Sequence, residues 1–216
     1  MRPNVAAQVR LMLVTDDRYV RGRNVIQLAL AAERGGITSL QVRLKERSDR
    51  ELVELVRALV AAVRVPVLVN DRPDIALSAG AAGVHLGPED LSVELTRRIV
   101  PPGFLIGASV GSDAEATHAA EADYWGVGPW RGTSTKGDAG TALGPEGFGR
   151  LSRQAAGLPC IAIGGIIPRD VSEVFRSGGS GVAVVSGILS EDDVEAAARG
   201  YWREVNREQG TGNRKQ

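Results

Sequence analysis

The stretch TSLQVRLKERSDRELVELVRALVAAVRVPVLVND (38–71) reads as a strand, a helix and a second strand. Its two ends, TSLQVRL (38–44) and VPVLVND (65–71), are short apolar runs rich in β-branched residues and bounded by polar ones, which is how strands look in a sequence. Between them, SDRELVELVRALVAAV (48–63) places Ser48 and Glu51 at capping-box spacing and sets Leu52, Leu55, Val56 and Leu59 on one face. That spacing predicts an amphipathic helix. Strands apolar along most of their length are buried on both faces, and two of them joined by a helix pair in parallel.

The same unit recurs in both directions. LMLVTD (11–16) precedes it, and GVHLG (83–87), LIGASV (105–110), DYWGVGP (123–129), PCIAIGG (159–165) and GVAVVSG (181–187) follow. Helical patterns lie between, among them VIQLALAAERGG (25–36) and IPRDVSEVFRSGG (167–179), both closing on glycine. Eight strand–helix units in about 200 residues fit an α/β protein with a single (β/α)8 TIM barrel. The rival, an open doubly wound sheet, wants a GxGxxG after the first strand and polar residues gathered at one switch point. Here no such motif follows residue 16, and polar residues stand after at least six of the runs. One domain over 1–206 is expected, with a disordered tail at 207–216 (REQGTGNRKQ), and no linker divides the rest.

Composition removes several functions. The 216 residues carry 26 basic and 26 acidic groups, a formal net charge of zero, so there is no global field to draw in nucleic acid or an anionic membrane. Any anionic ligand must be held by local groups. No basic start with an apolar h-region and no 18-residue apolar run occurs, so neither a signal peptide nor a membrane span is expected. The single Cys160 has no disulfide partner and no ligand spacing around it, which fits the reducing cytoplasm.

A barrel of this kind carries its site at the C-terminal ends of its strands. In chain order those ends present Gln41-Val42-Arg43-Leu44-Lys45, Asn70-Asp71-Arg72, Glu89-Asp90, Ser109, Thr133-Ser134-Thr135-Lys136, Gly164-Gly165 and Ser186-Gly187. Period two sends Gln41, Arg43 and Lys45 to one side; taken singly, the two cations would pass as solvated loop residues. Asp71 and Asp90 close adjacent strands, and two carboxylates beside Arg43, Lys45 and Lys136 suggest a magnesium-bridged diphosphate. Asp90 can also be read as a helix cap. Glycine-rich ends of the seventh and eighth strands suit a phosphate held by backbone N–H groups, although tight turns want glycine too. TSTKGDAGTALG (133–144) can wrap a phosphate as a lid, or be only a surface loop. His85 reads as a packed, hydrogen-bonded barrel residue and His118 as solvent-facing, so neither a Ser/His/Asp triad nor a zinc site is supported. Cations, a metal and backbone donors remain, a set able to stabilise a departing diphosphate.

At these residues the chain resembles the thiamine phosphate synthase family. The matching segments are LMLVTD, QVRLK, VLVNDRPDIALSAGAAGVHLGPEDL, IGASV, GVGP with TSTK and DAG, AIGGI and GVAVVSGI, in order over about 180 residues. The resemblance implies a barrel transferase of thiamine biosynthesis that joins hydroxymethylpyrimidine diphosphate to a thiazole phosphate and releases pyrophosphate. It implies that Gln41, Val42, Arg43, Leu44, Lys45 and Asn70 contact the pyrimidine diphosphate, with Ser109 and Lys136 near it. Arg43, Lys45, Ser109 and Lys136 would then carry the catalysis, and Asp71 and Asp90 would bind Mg2+. Thr133, Ser134, Thr135, Gly165, Val185 and Ser186 would hold the thiazole phosphate. Three places depart from the family pattern: Leu44 stands for an acidic residue, Gly111 for a histidine, and Trp130-Arg131-Gly132 for an apolar-Phe-Pro stretch. Leu44 is expected to face away from the barrel axis, whereas 130–132 adjoins the thiazole side. Two alternatives are a thiazole tautomerase on the same barrel and a non-catalytic protein that binds a thiamine precursor. A barrel this small can also pair as a homodimer through its helices.

Overall fold

The computed structural model describes residues 4–132 and 141–212, with side chains through Glu208. Eight strands alternate with helices. They are β1 Leu11–Val14, β2 Ser39–Val42, β3 Val67–Asn70, β4 Gly83–Leu86, β5 Leu105–Val110, β6 Tyr124–Val127, β7 Cys160–Ile163 and β8 Gly181–Val184. The helices in chain order are α1 Val5–Gln8, α2 Asp17–Val20, α3 Val25–Gly35, α4 Asp49–Ala62, α5 Pro73–Ala79, α6 Val93–Ile99, α7 Asp113–His118, α8 Gly144–Gln154, α9 Val171–Arg176, α10 Ser186–Leu189 and α11 Val194–Gly212, with a 3-10 turn at Pro168–Asp170.

Every neighbouring strand pair is parallel, and the sheet closes from β8 back to β1 through pairs such as Leu11 with Val182. The (β/α)8 barrel expected from the alternating runs is therefore what the chain forms. Strand period two divides its apolar residues into two layers. Met12, Val14, Leu68, Leu105, Tyr124, Ile161 and Ala183 form the inner cluster. The intervening residues, such as Leu13, Leu40, Val69, Val84, Ile106 and Val182, pack in the outer cluster with helix residues including Ala32, Val56 and Leu59. Val56 and Leu59 are fully buried, and each contributes about 1.5–3 kcal/mol relative to exposure.

The caps work as the sequence suggests. Ser48 and Glu51 make the reciprocal capping box of α4, and α3 gives way to Gly36. Helical structure at the C-terminus extends to Gly212, six residues past the 206 boundary where the polar composition suggested a tail. Amphipathic packing starts this helix, with Val194, Ala198, Tyr201 and Val205 all buried, and Arg207 bonds back to Glu204 at 2.6 Å within it. No helix among the described residues is long and apolar enough to cross a membrane.

Candidate active site at the strand C-termini

The strand ends β2, β3 and β4 gather charged side chains that are wired to one another. Gln41 is buried within the barrel, while Arg43 leaves the end of β2 and pairs with Asp16 at 2.7 Å. Asp16 does two jobs: its other oxygen caps α2 by accepting from the Arg18 N–H at 3.1 Å. Thr15 Oγ1 accepts from the Arg43 N–H at 2.8 Å, and Asp17 accepts from the Lys45 N–H at 2.7 Å. The segment after β1 therefore holds the Arg43 and Lys45 N–H groups, a feature the spacing of residues 15–17 in the sequence does not reveal. Val42 and Leu44 point the other way, into the outer core, so what they can offer a ligand is main chain.

Lys45 Nζ lies 3.1 Å from an Asp71 oxygen. Asp71 sits at φ 65°, in the left-handed region that a non-glycine residue adopts at a cost, and the Arg72 N–H bonds across it to the Asn70 carbonyl at 2.8 Å. Its own N–H is held by the His85 carbonyl at 2.8 Å, so the turn at the end of β3 is fixed by β4. Asp90 accepts from the Gly87 N–H at 2.6 Å, closing the turn after β4. It is not the cap of α6: that role belongs to Ser92, whose Oγ accepts from Leu95 N–H at 3.2 Å. Burial, and next the adjoining Asp71 carboxyl, push the Asp90 carboxyl up to about 6, against the pull of the Gly87 N–H and Lys45. Two crowded carboxylates are what a divalent cation relieves. Among the described residues no cluster of three or more His, Cys, Asp or Glu surrounds a common point, so the pair suits a hard ion that keeps water and substrate oxygens in its other positions.

The far side of the mouth is built differently. Strands β7 and β8 stand four places around the closed barrel from β3 and β4. Gly164 and Gly165 have φ 96° and 65°, and the segment beyond β6 runs beside them: Trp130 N–H bonds the Ile163 carbonyl at 2.7 Å and Arg131 N–H the Gly164 carbonyl at 3.0 Å. A Cβ on Gly164 would come within 2.8 Å of Pro129 Cβ, and one on Gly165 within 3.0 Å of Arg131 Cβ. These glycines are thus required by backbone approach as well as by conformation. Val185 leads into α10, whose first residue is Ser186, and amides of a first helical turn have no acceptor within the helix. Arg131 turns its guanidinium onto Asp170, which is 2% exposed and also accepts from the Ile167 N–H at 3.0 Å.

Comparison with known proteins gives the chain a family. A family model described as thiamine monophosphate synthase matches residues 11–188. The chain belongs to this family. It is 46% identical over 194 residues to the thiamine-phosphate synthase of Methanoculleus marisnigri, covering 88% of this chain and 92% of that one. It is 43% identical to the enzyme of the same name from Azorhizobium caulinodans, covering 88% and 91%. Among solved structures, thiamine phosphate pyrophosphorylase from Pyrococcus furiosus superposes with a TM-score of 0.85 at 33% identity, covering 94% and 98% of the two chains. Orotidine 5'-phosphate decarboxylase from Pyrococcus horikoshii, at 16% identity and TM-score 0.68, shares the fold alone.

Of the residues singled out for the thiamine monophosphate synthase family, Gln41, Arg43, Lys45, Asn70, Asp71, Asp90, Ser109, Gly165, Val185 and Ser186 all stand at or just beyond strand C-termini on the same end of the barrel. Thr133, Ser134, Thr135 and Lys136 lie outside the described residues. Trp130, where the family pattern has an apolar-Phe-Pro stretch, is buried and meets Phe148 edge-on, ring centroids 5.5 Å apart. Its indole therefore fills the helix–barrel layer, and Arg131 is the member of the trio that borders the Gly164–Gly165 corner. The sequence did not point to Asp16 or Tyr124.

Proposed function

We propose that the chain is a thiamine-phosphate synthase, a transferase that moves a hydroxymethylpyrimidine group from its diphosphate to the ring nitrogen of a thiazole phosphate with Mg2+ as cofactor. The observation that carries this reading is the convergence of Lys45, Asp71 and Asp90 at the ends of β2, β3 and β4, facing a corner made of main chain. Asp71 and Asp90 would hold the ion, which when bound neutralises diphosphate oxygens and so makes the diphosphate a better leaving group. Lys45 and Arg43 add positive charge on the same side, and Asp16 and Asp71 fix where each cation points.

In the transfer, the bond between the pyrimidine methylene carbon and the diphosphate oxygen breaks with its electron pair leaving on pyrophosphate. The thiazole nitrogen lone pair forms the new C–N bond. No proton has to be abstracted, in keeping with a mouth that offers cations and amides more than bases. The Gly165 and Ser186 corner would anchor the thiazole phosphate through N–H groups, which select a phosphate without adding side-chain bulk. The test is direct: protein with Mg2+ and both substrates should yield thiamine phosphate and pyrophosphate in equal amounts. Neither product above background, beside a working control enzyme, overturns the reading.

A further inference from the structure

The barrel interior holds a buried polar chain that ends on Ser109. His85 Nδ1 lies 2.9 Å from the Tyr124 hydroxyl, and His85 Nε2 lies 3.0 Å from Ser109 Oγ. The rings of His85 and Tyr124 are 5.5 Å apart and tilted by 33°. Burial pushes the Tyr124 hydroxyl's pKa up, and the Gln41 side chain pulls the other way; the Gln41 amide nitrogen lies 3.7 Å from Met12 Sδ. Tyr124 is fully buried and His85 nearly so. Two glycines make the space: a Cβ on Gly107 would fall 2.2 Å from Tyr124 Cζ, and one on Gly126 2.9 Å from His85 Cε1. The rings are therefore seated by the strands themselves and not by rotamer choice alone.

Proton counting gives this chain a direction. Desolvation keeps the Tyr124 hydroxyl protonated, and His85 Nδ1 stands 2.9 Å from it, so its single proton is assigned to His85 Nδ1. A neutral imidazole that accepts at Nδ1 carries its proton on Nε2, where the partner is Ser109 Oγ. The serine oxygen is then an acceptor inside the chain, and its own proton is left to point away from His85.

We propose that Tyr124 and His85 are positioning residues that hold Ser109 as a hydrogen-bond donor to the bound substrate, so that the group facing Ser109 must be an acceptor such as an aromatic ring nitrogen. The statement about the substrate rests on the reading of function above; the one about the imidazole does not. With two histidines in the chain, and His118 exposed, long-range 1H–15N spectra of labelled protein can be assigned with His85→Gln. The wild type should show His85 protonated at Nε2 with an unprotonated Nδ1, and Tyr124→Phe should convert it to a mixture of tautomers. A wild-type imidazole protonated at Nδ1, or one unchanged by Tyr124→Phe, overturns the proposal. The activity arm separates positioning from mere packing: His85→Gln, whose amide reaches the Nε2 place, should keep kcat/KM within roughly fivefold of wild type, the worth of one hydrogen bond. His85→Asn, which reaches only the Nδ1 place, should fall well below it, and equal loss in both also overturns the proposal. The spectra need no substrate, so a chain making no thiamine phosphate would sink the functional reading and leave the tautomer result to decide this one.

Discussion

The two halves of the barrel mouth are built by opposite means, and on the proposed function both serve an anionic ligand in a chain of zero net charge. At β2 to β4 the groups are charged side chains, each already engaged: Arg43 with Asp16, Lys45 with Asp71, Asp90 with the Gly87 N–H. At β7 and β8 the groups are main chain, bared by glycines that the neighbouring segment 129–131 presses against. On the proposed function, paired charges are pre-oriented for an ion and a diphosphate, whereas main-chain amides bind without charge and tolerate no side chain. A substitution should therefore damage the first half through electrostatics and the second through geometry.

The largest effect is expected on the charged half. Asp90→Ala should lower turnover at least tenfold while the thermal midpoint moves only a few degrees, because Ser92 and not Asp90 caps α6 and the lost Gly87 bond is worth about 1 kcal/mol. A variant that unfolds readily yet keeps its specific activity would break the contrast. Next comes the glycine corner. Gly165→Ala must take φ 65° with its Cβ 3.0 Å from Arg131 Cβ, so it should cost about 1–2 kcal/mol in denaturant unfolding and raise KM for the thiazole phosphate more than for the diphosphate. Asp16→Asn should then release Arg43 and raise KM for the diphosphate by roughly threefold to tenfold, with the thiazole phosphate unaffected. The smallest effect belongs to Arg131→Ala. Its guanidinium is half exposed and Asp170 keeps the Ile167 N–H, so about 1 kcal/mol of stability should be lost and kcat should change less than threefold.

The fold was legible because each strand is apolar on both faces, which few other architectures require. Its boundaries were less so: the runs 11–16, 65–71 and 159–165 overshoot their strands by one or two residues at an end, since Asp16, Asp71 and the glycines 164–165 turn the chain at the mouth of the barrel. The adjacency of Asp71 and Asp90 followed from topology, as consecutive strands of one sheet must end side by side. Asp16 escaped notice because the clamp on Arg43 runs between neighbouring strands over 27 residues of sequence. The link from His85 to Ser109 spans 24 residues and depends on β4 pairing His85 with Gly107, which carries Ser109 to the same face one pleat on. Tyr124 looked like any strand aromatic, and its hydroxyl gained meaning only from what the closed barrel sets against it.

The division of the mouth is tested most directly by calorimetric titration of pyrophosphate and of thiazole phosphate, each with and without Mg2+. Pyrophosphate affinity should fall at least tenfold when Mg2+ is removed, because Asp71 and Asp90 then face the anion uncovered, while thiazole phosphate affinity should stay the same within twofold. Equal dependence of both ligands on the ion, or of neither, would contradict the account.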